Sequence, residues 1–164
     1  MPEEAAMIPF VVEEHLRHYR TVERHEHPRA YTAQELAAAE HVTGYRVAKP
    51  VVVELGGKLA LAVVAATDRV SLGTLEETAA VAARLVPEGD FAGRFSPCEP
   101  GSEPPLSMYG VPIFVDERLT HEARLVMPAG THRDAVVLET DEWLRREAVQ
   151  PVANLGIRPG EHRL

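Results

Sequence analysis

The sequence predicts a mixed α/β fold in one domain. Apolar runs with strand character alternate irregularly with helix signatures, the length suits one core, and the composition is that of an ordinary globular chain. Its 164 residues fall within the roughly 100–200 usual for a single domain. With 45% hydrophobic and 26% charged residues, the chain has enough apolar surface to bury and enough charge to stay dissolved. Residues 1–152 are assigned to the domain and 153–164 to a polar, frayed tail.

Ile8, Val11, Val12, Leu16 and Tyr19 recur at helical spacing, which predicts an amphipathic helix laid on a sheet. A short extended piece from Val22 to His27 follows, and Pro28 stops it because proline has no N–H to donate. Thr32-Ala33-Gln34-Glu35 then opens a second helix with a capping-box pattern. Tyr45 to Leu55 and Lys58 to Ala66, joined by Gly56-Gly57, predict a hairpin. Thr74-Leu75-Glu76-Glu77 predicts a helix running to about Leu85. From Pro87 to Pro112 the chain is rich in Gly, Pro and Ser, a long loop of the kind that carries function. Three short strands follow at 112–115, 123–127 and 135–138, and Thr140 caps a last helix containing Trp143 and Leu144.

Composition excludes several functions. Aromatic residues make up only 5% of the chain, which leaves little for a base-stacking platform. The net charge of −8 opposes the long-range attraction that draws a protein onto nucleic acid, so RNA contacts are expected to be local and DNA is not expected as a partner. The single cysteine, Cys98, builds neither an internal disulfide nor a cysteine zinc site, and a reducing compartment fits best. The N-terminus lacks a secretion signal and no apolar run is long enough to span a bilayer, so a cytoplasmic location and no membrane partner are expected.

Lys49 is the first candidate for chemistry. In Val47-Ala48-Lys49-Pro50-Val51-Val52-Val53 the period of two places it on the face of Val47, Val51 and Val53. An ammonium among valines must be paired or line a wet pocket, unless Pro50 marks an edge strand and the lysine reaches solvent. The loop holds two Gly-x-x-x-Pro strings, Gly93 to Pro97 and Gly101 to Pro105. Such a loop either presents backbone N–H groups to a developing oxyanion or is a rigid surface loop without a ligand.

The order of these features resembles the YbaK-like family, which includes the editing domain of prolyl-tRNA synthetases and free-standing editing proteins. The resemblance runs from about Thr21 to Trp143. It is carried by His27-Pro28 with Thr32 and an Ala-rich helix, by the Lys49 strand, and by Cys98-Glu99-Pro100-Gly101-Ser102-Glu103-Pro104-Pro105. The strand ending at Asp116 and the turn Ala129-Gly130-Thr131-His132 complete it. The family's spacing to its aspartate selects Gly101 to Pro105 over Gly93 to Pro97. Ser107, in place of a glycine, and Met127-Pro128 depart from the family pattern.

This resemblance implies an editing-domain fold with a mixed, barrel-like sheet flanked by helices. It also implies hydrolysis of the ester joining an amino acid to the terminal adenosine of tRNA, without cofactor or metal. Lys49, Gly101 and Pro105 become the catalytic candidates. His27, Thr32, Ser102, Pro104, Asp116, Ala129, Gly130 and His132 become the substrate-binding ones. Charged tRNA is the implied partner, with an aminoacyl-tRNA synthetase or elongation factor controlling which tRNA arrives. Three rivals stand beside it: a metallohydrolase using His25, His27 and His41, a thiol hydrolase using Cys98 with His132 or His121, and a non-catalytic module that binds an amino acid or nucleotide.

Overall fold

The computed structural model describes residues 7–161. Helix α1 (Phe10–Leu16) leads into strand β1 (Val22–Glu26), then α2 (Ala33–Ala39), β2 (Ala48–Leu55), β3 (Lys58–Ala65) and β4 (Arg69–Val70). Helix α3 (Leu72–Ala79), β5 (Ala83–Leu85) and the short α4 (Glu88–Phe91) precede the long loop. Beyond it come β6 (Ile113–Asp116), β7 (Arg124–Pro128), β8 (Asp134–Glu139), α5 (Thr140–Arg146), β9 (Gln150–Val152) and β10 (Gly156–Ile157).

The main sheet has the order β5-β2-β3-β6-β9 and is mixed. The β2–β3 hairpin is antiparallel, with Val51 facing Ala62, whereas β3 pairs with β6 and β6 with β9 in parallel. A second, antiparallel sheet has the order β1-β8-β7. The two sheets meet at a parallel bridge between Val47 and Val126. Residues of both sheets share one core, yet among the described residues the sheets do not close into the barrel that the resemblance implied. Val12, Leu16, Phe95, Leu106, Leu125, Met127 and Trp143 fill the main core, which explains how a chain with few aromatics stays packed.

Several elements follow the sequence closely. The first-helix stripe is buried at Val12, Leu16 and Tyr19. Thr32 caps α2, its hydroxyl oxygen accepting the Glu35 N–H at 3.0 Å. Pro50 sits in β2 where β5, which pairs only with Val53–Leu55, leaves that edge without a ladder partner.

Other elements differ from the sequence expectation. Helix α3 begins at Leu72, because Ser71 rather than Thr74 caps it, and it ends at the left-handed Ala80, so 83–85 can pair with β2 as a strand. Thr140 is not a cap. Its N–H bonds the Ala123 carbonyl at 3.0 Å, and Glu139 takes the cap position without a side-chain bond. The tail is not frayed at 153–161: β10 pairs with β4, Leu155 is fully buried and the Arg118 guanidinium donates to the Gly156 carbonyl at 2.6 Å. Residues 1–6, the N-terminus expected to lack a secretion signal, and 162–164 lie outside the described residues.

Candidate active site

A cavity of about 50 Å³ opens where the β1–α2 connection, the start of β2, the 101–102 loop and the 128–134 turn converge. His27, Tyr31, Thr32, Lys49, Ser102, Thr131 and Asp134 supply its polar wall. Ala30, Leu36, Val47 and Ala48 supply the apolar one. Two backbone bonds, His27 N–H to the Arg133 carbonyl and Ala30 N–H to the His132 carbonyl, both 2.8 Å, clamp the β1–α2 connection to the turn.

Lys49 reaches this wall half-buried. Its ammonium donates to the carbonyls of Asp68 and, at 3.3 Å, Ala66, just past the end of β3. Burial pulls its pKa below the ordinary lysine value, and the Asp68 carboxylate opposes that shift. Asp68 is itself buried and lies 3.7 Å from Arg118 and 3.8 Å from Arg158. Arg118 also bonds Asp116 at 3.0 Å. The lysine is therefore anchored from behind by a network that runs from Asp68 through Arg118 to Asp116.

The 98–107 loop is tied down at both ends. The Glu99 N–H donates to the Gly130 carbonyl and the Gly130 N–H to the Ser102 carbonyl, each at 2.8 Å. Gly101, at φ +88, donates its N–H to both oxygens of the buried Glu103 carboxylate, at 3.0 and 3.1 Å. Burial raises the Glu103 pKa, and the Glu103 and Gly101 N–H groups oppose it. The Ser102 N–H bonds the Glu99 carbonyl. On the far side the Trp143 indole donates to the Pro105 carbonyl at 2.9 Å, and the Ser107 N–H donates to Glu147 at 2.7 Å. Ser107 replaces the family's glycine without strain, because its φ is not positive.

The structure gathers some candidates and separates others. Lys49, His27, Thr32, Gly101 and Ser102 line one cavity. Pro104 and Pro105 are buried in the loop beneath, and Ala129 and Gly130 lie in the turn behind the wall. His132 stands at the rim, its ring 4.7 Å from that of Tyr31 and its Nε2 2.9 Å from the Pro100 carbonyl. Asp116 is not at the pocket: it is buried against Arg118 and the Gly156 N–H. The N–H groups of Gly101 and Gly130 are already engaged, so these glycines shape the wall rather than present free donors.

Sequence reasoning missed Asp134, Asp68 and Tyr31. Asp134 was findable as the polar residue opening an apolar strand. Asp68 follows the end of β3 and gave no local signal.

The rival constellations do not assemble. His25 pairs with Glu40 and Glu23, and His27 with the Pro28 carbonyl. Among the described residues no group of three His, Cys, Asp or Glu side chains is placed to hold a metal ion. The Cys98 thiol lies 2.9 Å from the Tyr109 hydroxyl, and burial pushes its pKa up, the opposite of what a nucleophilic thiol needs. No helix among the described residues is long and apolar enough to cross a membrane.

Residues 27–146 match the sequence profile of the aminoacyl-tRNA editing domain. Among the solved structures that share the fold are three of low sequence identity to this chain. A scaffold protein from computational grafting of linear epitopes is 20% identical, with a TM-score of 0.78 over 92% of this chain and 96% of its own. A proposed trans-editing enzyme for prolyl-tRNA synthetase is 21% identical, with a TM-score of 0.76 over 86% and 92%. A hypothetical protein is 17% identical, with a TM-score of 0.80 over 90% and 99%. A search of curated proteins finds no match.

Proposed function

We propose that this chain, which belongs to the aminoacyl-tRNA editing domain family, hydrolyses the ester that joins an amino acid to the terminal adenosine of tRNA. The observation that carries this reading is Lys49 on the wall of a small cavity, its ammonium held by backbone carbonyls. Two of its three N–H donors go to the Ala66 and Asp68 carbonyls, which leaves one for a ligand. A fixed positive charge there suits the ribose–phosphate end of a charged tRNA, and the cavity suits a small aminoacyl group.

Water is the nucleophile, oriented by a ribose hydroxyl of the substrate, and attacks the ester carbonyl. The bond between the acyl carbon and the ribose oxygen breaks and a proton from the water passes to that oxygen, releasing free amino acid and uncharged tRNA. Lys49 holds the substrate and stabilises negative charge that develops near it. The clamped 98–107 loop and 129–132 turn hold the cavity's shape, so that Gly101 acts through the wall it forms and Pro105 through the loop beneath. Their contribution is positioning, and the reaction proceeds without a metal ion. A small cavity rejects large side chains and discriminates poorly among small ones. Protection of correctly charged tRNA therefore falls to a synthetase or elongation factor that controls access.

The test is a panel of mischarged tRNAs incubated with catalytic amounts of protein. Release of free amino acid in excess of the protein supports the reading. A protein that retains a charged tRNA or amino acid without releasing product is a binding module.

A further inference from the structure

His27 carries an orphaned acceptor. Its Nδ1 lies 2.7 Å from the Pro28 carbonyl oxygen. A carbonyl only accepts, so Nδ1 bears the proton and Nε2 of the neutral ring is a lone-pair acceptor. That Nε2 is enclosed and has no hydrogen-bond partner among the described residues. An enclosed acceptor without a donor is costly, so solvent or a ligand must supply one, and the place of His27 on the cavity wall puts it within a ligand's reach. His27 and Asp134 both line the cavity, and one Asp134 oxygen accepts the Thr131 hydroxyl at 2.6 Å. Burial raises the Asp134 pKa, with Glu26 and Glu99 adding to the shift and the Thr131 hydroxyl and His27 opposing it. Lys49, on β2, turns its ammonium toward Ala66 and Asp68. The cavity is thus polarised, with acceptors and anionic groups at His27 and Asp134 and a cation at Lys49.

We propose that His27 Nε2 and the Asp134 carboxylate receive the α-ammonium group of the esterified amino acid, so that the site selects acyl groups bearing a free, charged amine. The inference rests on the deacylase reading above. It gives the substrate a direction, with the ammonium at His27 and Asp134 and the ribose end toward Lys49. A charge-assisted hydrogen bond made by the amine and lost in its neutral analogue corresponds to a preference of about tenfold to a hundredfold.

The experiment pairs each substrate with an analogue of nearly equal size. Alanyl-, seryl- and cysteinyl-tRNA are assayed first, and the one cleaved fastest is compared with its α-hydroxyacyl counterpart, in which hydroxyl replaces ammonium. Each rate is divided by the spontaneous hydrolysis rate of the same ester, because the ammonium itself activates the carbonyl. The expected result is a normalised kcat/KM about tenfold to a hundredfold higher for the amine. Equal normalised values overturn the proposal and leave the deacylase reading standing. No amino acid released from any of the three overturns the deacylase reading and this proposal with it. His27→Asn adds a second arm, since its amide still donates to the Pro28 carbonyl but nothing replaces Nε2. It is expected to bring the preference toward parity with an unchanged Tm, and retention of the full preference overturns the assignment. If His27→Asn does not fold, the substrate pair on the parent protein still decides.

Discussion

Gly130→Ala tests the clamp that builds the cavity. Gly130 has φ +99, and a Cβ there would stand 2.6 Å from Pro9 Cδ, 2.8 Å from Pro9 Cγ and 3.2 Å from Cys98 Sγ. A side chain at that φ costs about 1–2 kcal/mol, and forcing the pyrrolidine ring and the thiol apart adds about 1–3 kcal/mol. The total of about 2–5 kcal/mol lowers Tm by roughly 4–20 °C, given about 2–4 °C per kcal/mol for a chain of this size. Gly57→Ala is the control, because Gly57 has φ +86 but nothing within 4 Å of the added Cβ. It bears the torsional cost alone. Urea unfolding followed by circular dichroism measures both. Deacylation should fall further in Gly130→Ala than in Gly57→Ala, since only Gly130 bonds Glu99 and Ser102. A Gly130→Ala loss no larger than that of Gly57→Ala would refute the close packing of turn, loop and Pro9.

Burial alone would raise the Glu147 pKa, but bonds from His15, Tyr19 and Ser107 hold it below the ordinary carboxylate value. Its stabilisation is therefore present above the unfolded-state pKa and is lost as pH falls through the folded-state value. Urea titrations between about pH 6 and about pH 3 should show the parent weakening on acidification and Glu147→Gln showing a shallower acid slope; equal slopes would remove Glu147 as the cause. Uncharged tRNA should bind weakly, with a log–log salt slope no steeper than about −3, because a chain of net charge −8 neutralises few phosphates. A slope several times steeper in a filter-binding series would reveal a basic face and a wider RNA contact.

Local signals were legible where one residue type constrained the backbone. The Thr32 cap and the Gly56-Gly57 turn read correctly because each depends on neighbours within a few positions, whereas the stretch from Pro87 to Pro112, read as one loop, holds the short helix Glu88–Phe91. Strands β5 and β10, of three and two residues, show no periodicity, and only pairing with β2 and β4 makes them strands. The anchoring of Lys49 was hidden for the same reason. Asp68 meets Arg118 across the fold, and Asp116 reaches the Gly156 N–H 40 positions away. An added Cβ at Gly156 would lie 2.5 Å from the Asp116 carboxylate, a constraint invisible without the tertiary contact. Asp134 enters the cavity through its register opposite Glu26, and the loop N–H groups were absorbed by Glu103 and the turn, which spacing does not reveal.

The most direct test of the deacylase assignment compares turnover of the best mischarged tRNA by the parent and by Lys49→Ala, with thermal melting of both. Lys49 is half-buried and lines the cavity, and its ammonium bonds the Ala66 and Asp68 carbonyls past the end of β3. Removing it should lower kcat/KM by about a hundredfold or more while Tm stays within a few degrees. Full activity in Lys49→Ala, or a melting collapse that accounts for the lost activity, would contradict a catalytic lysine.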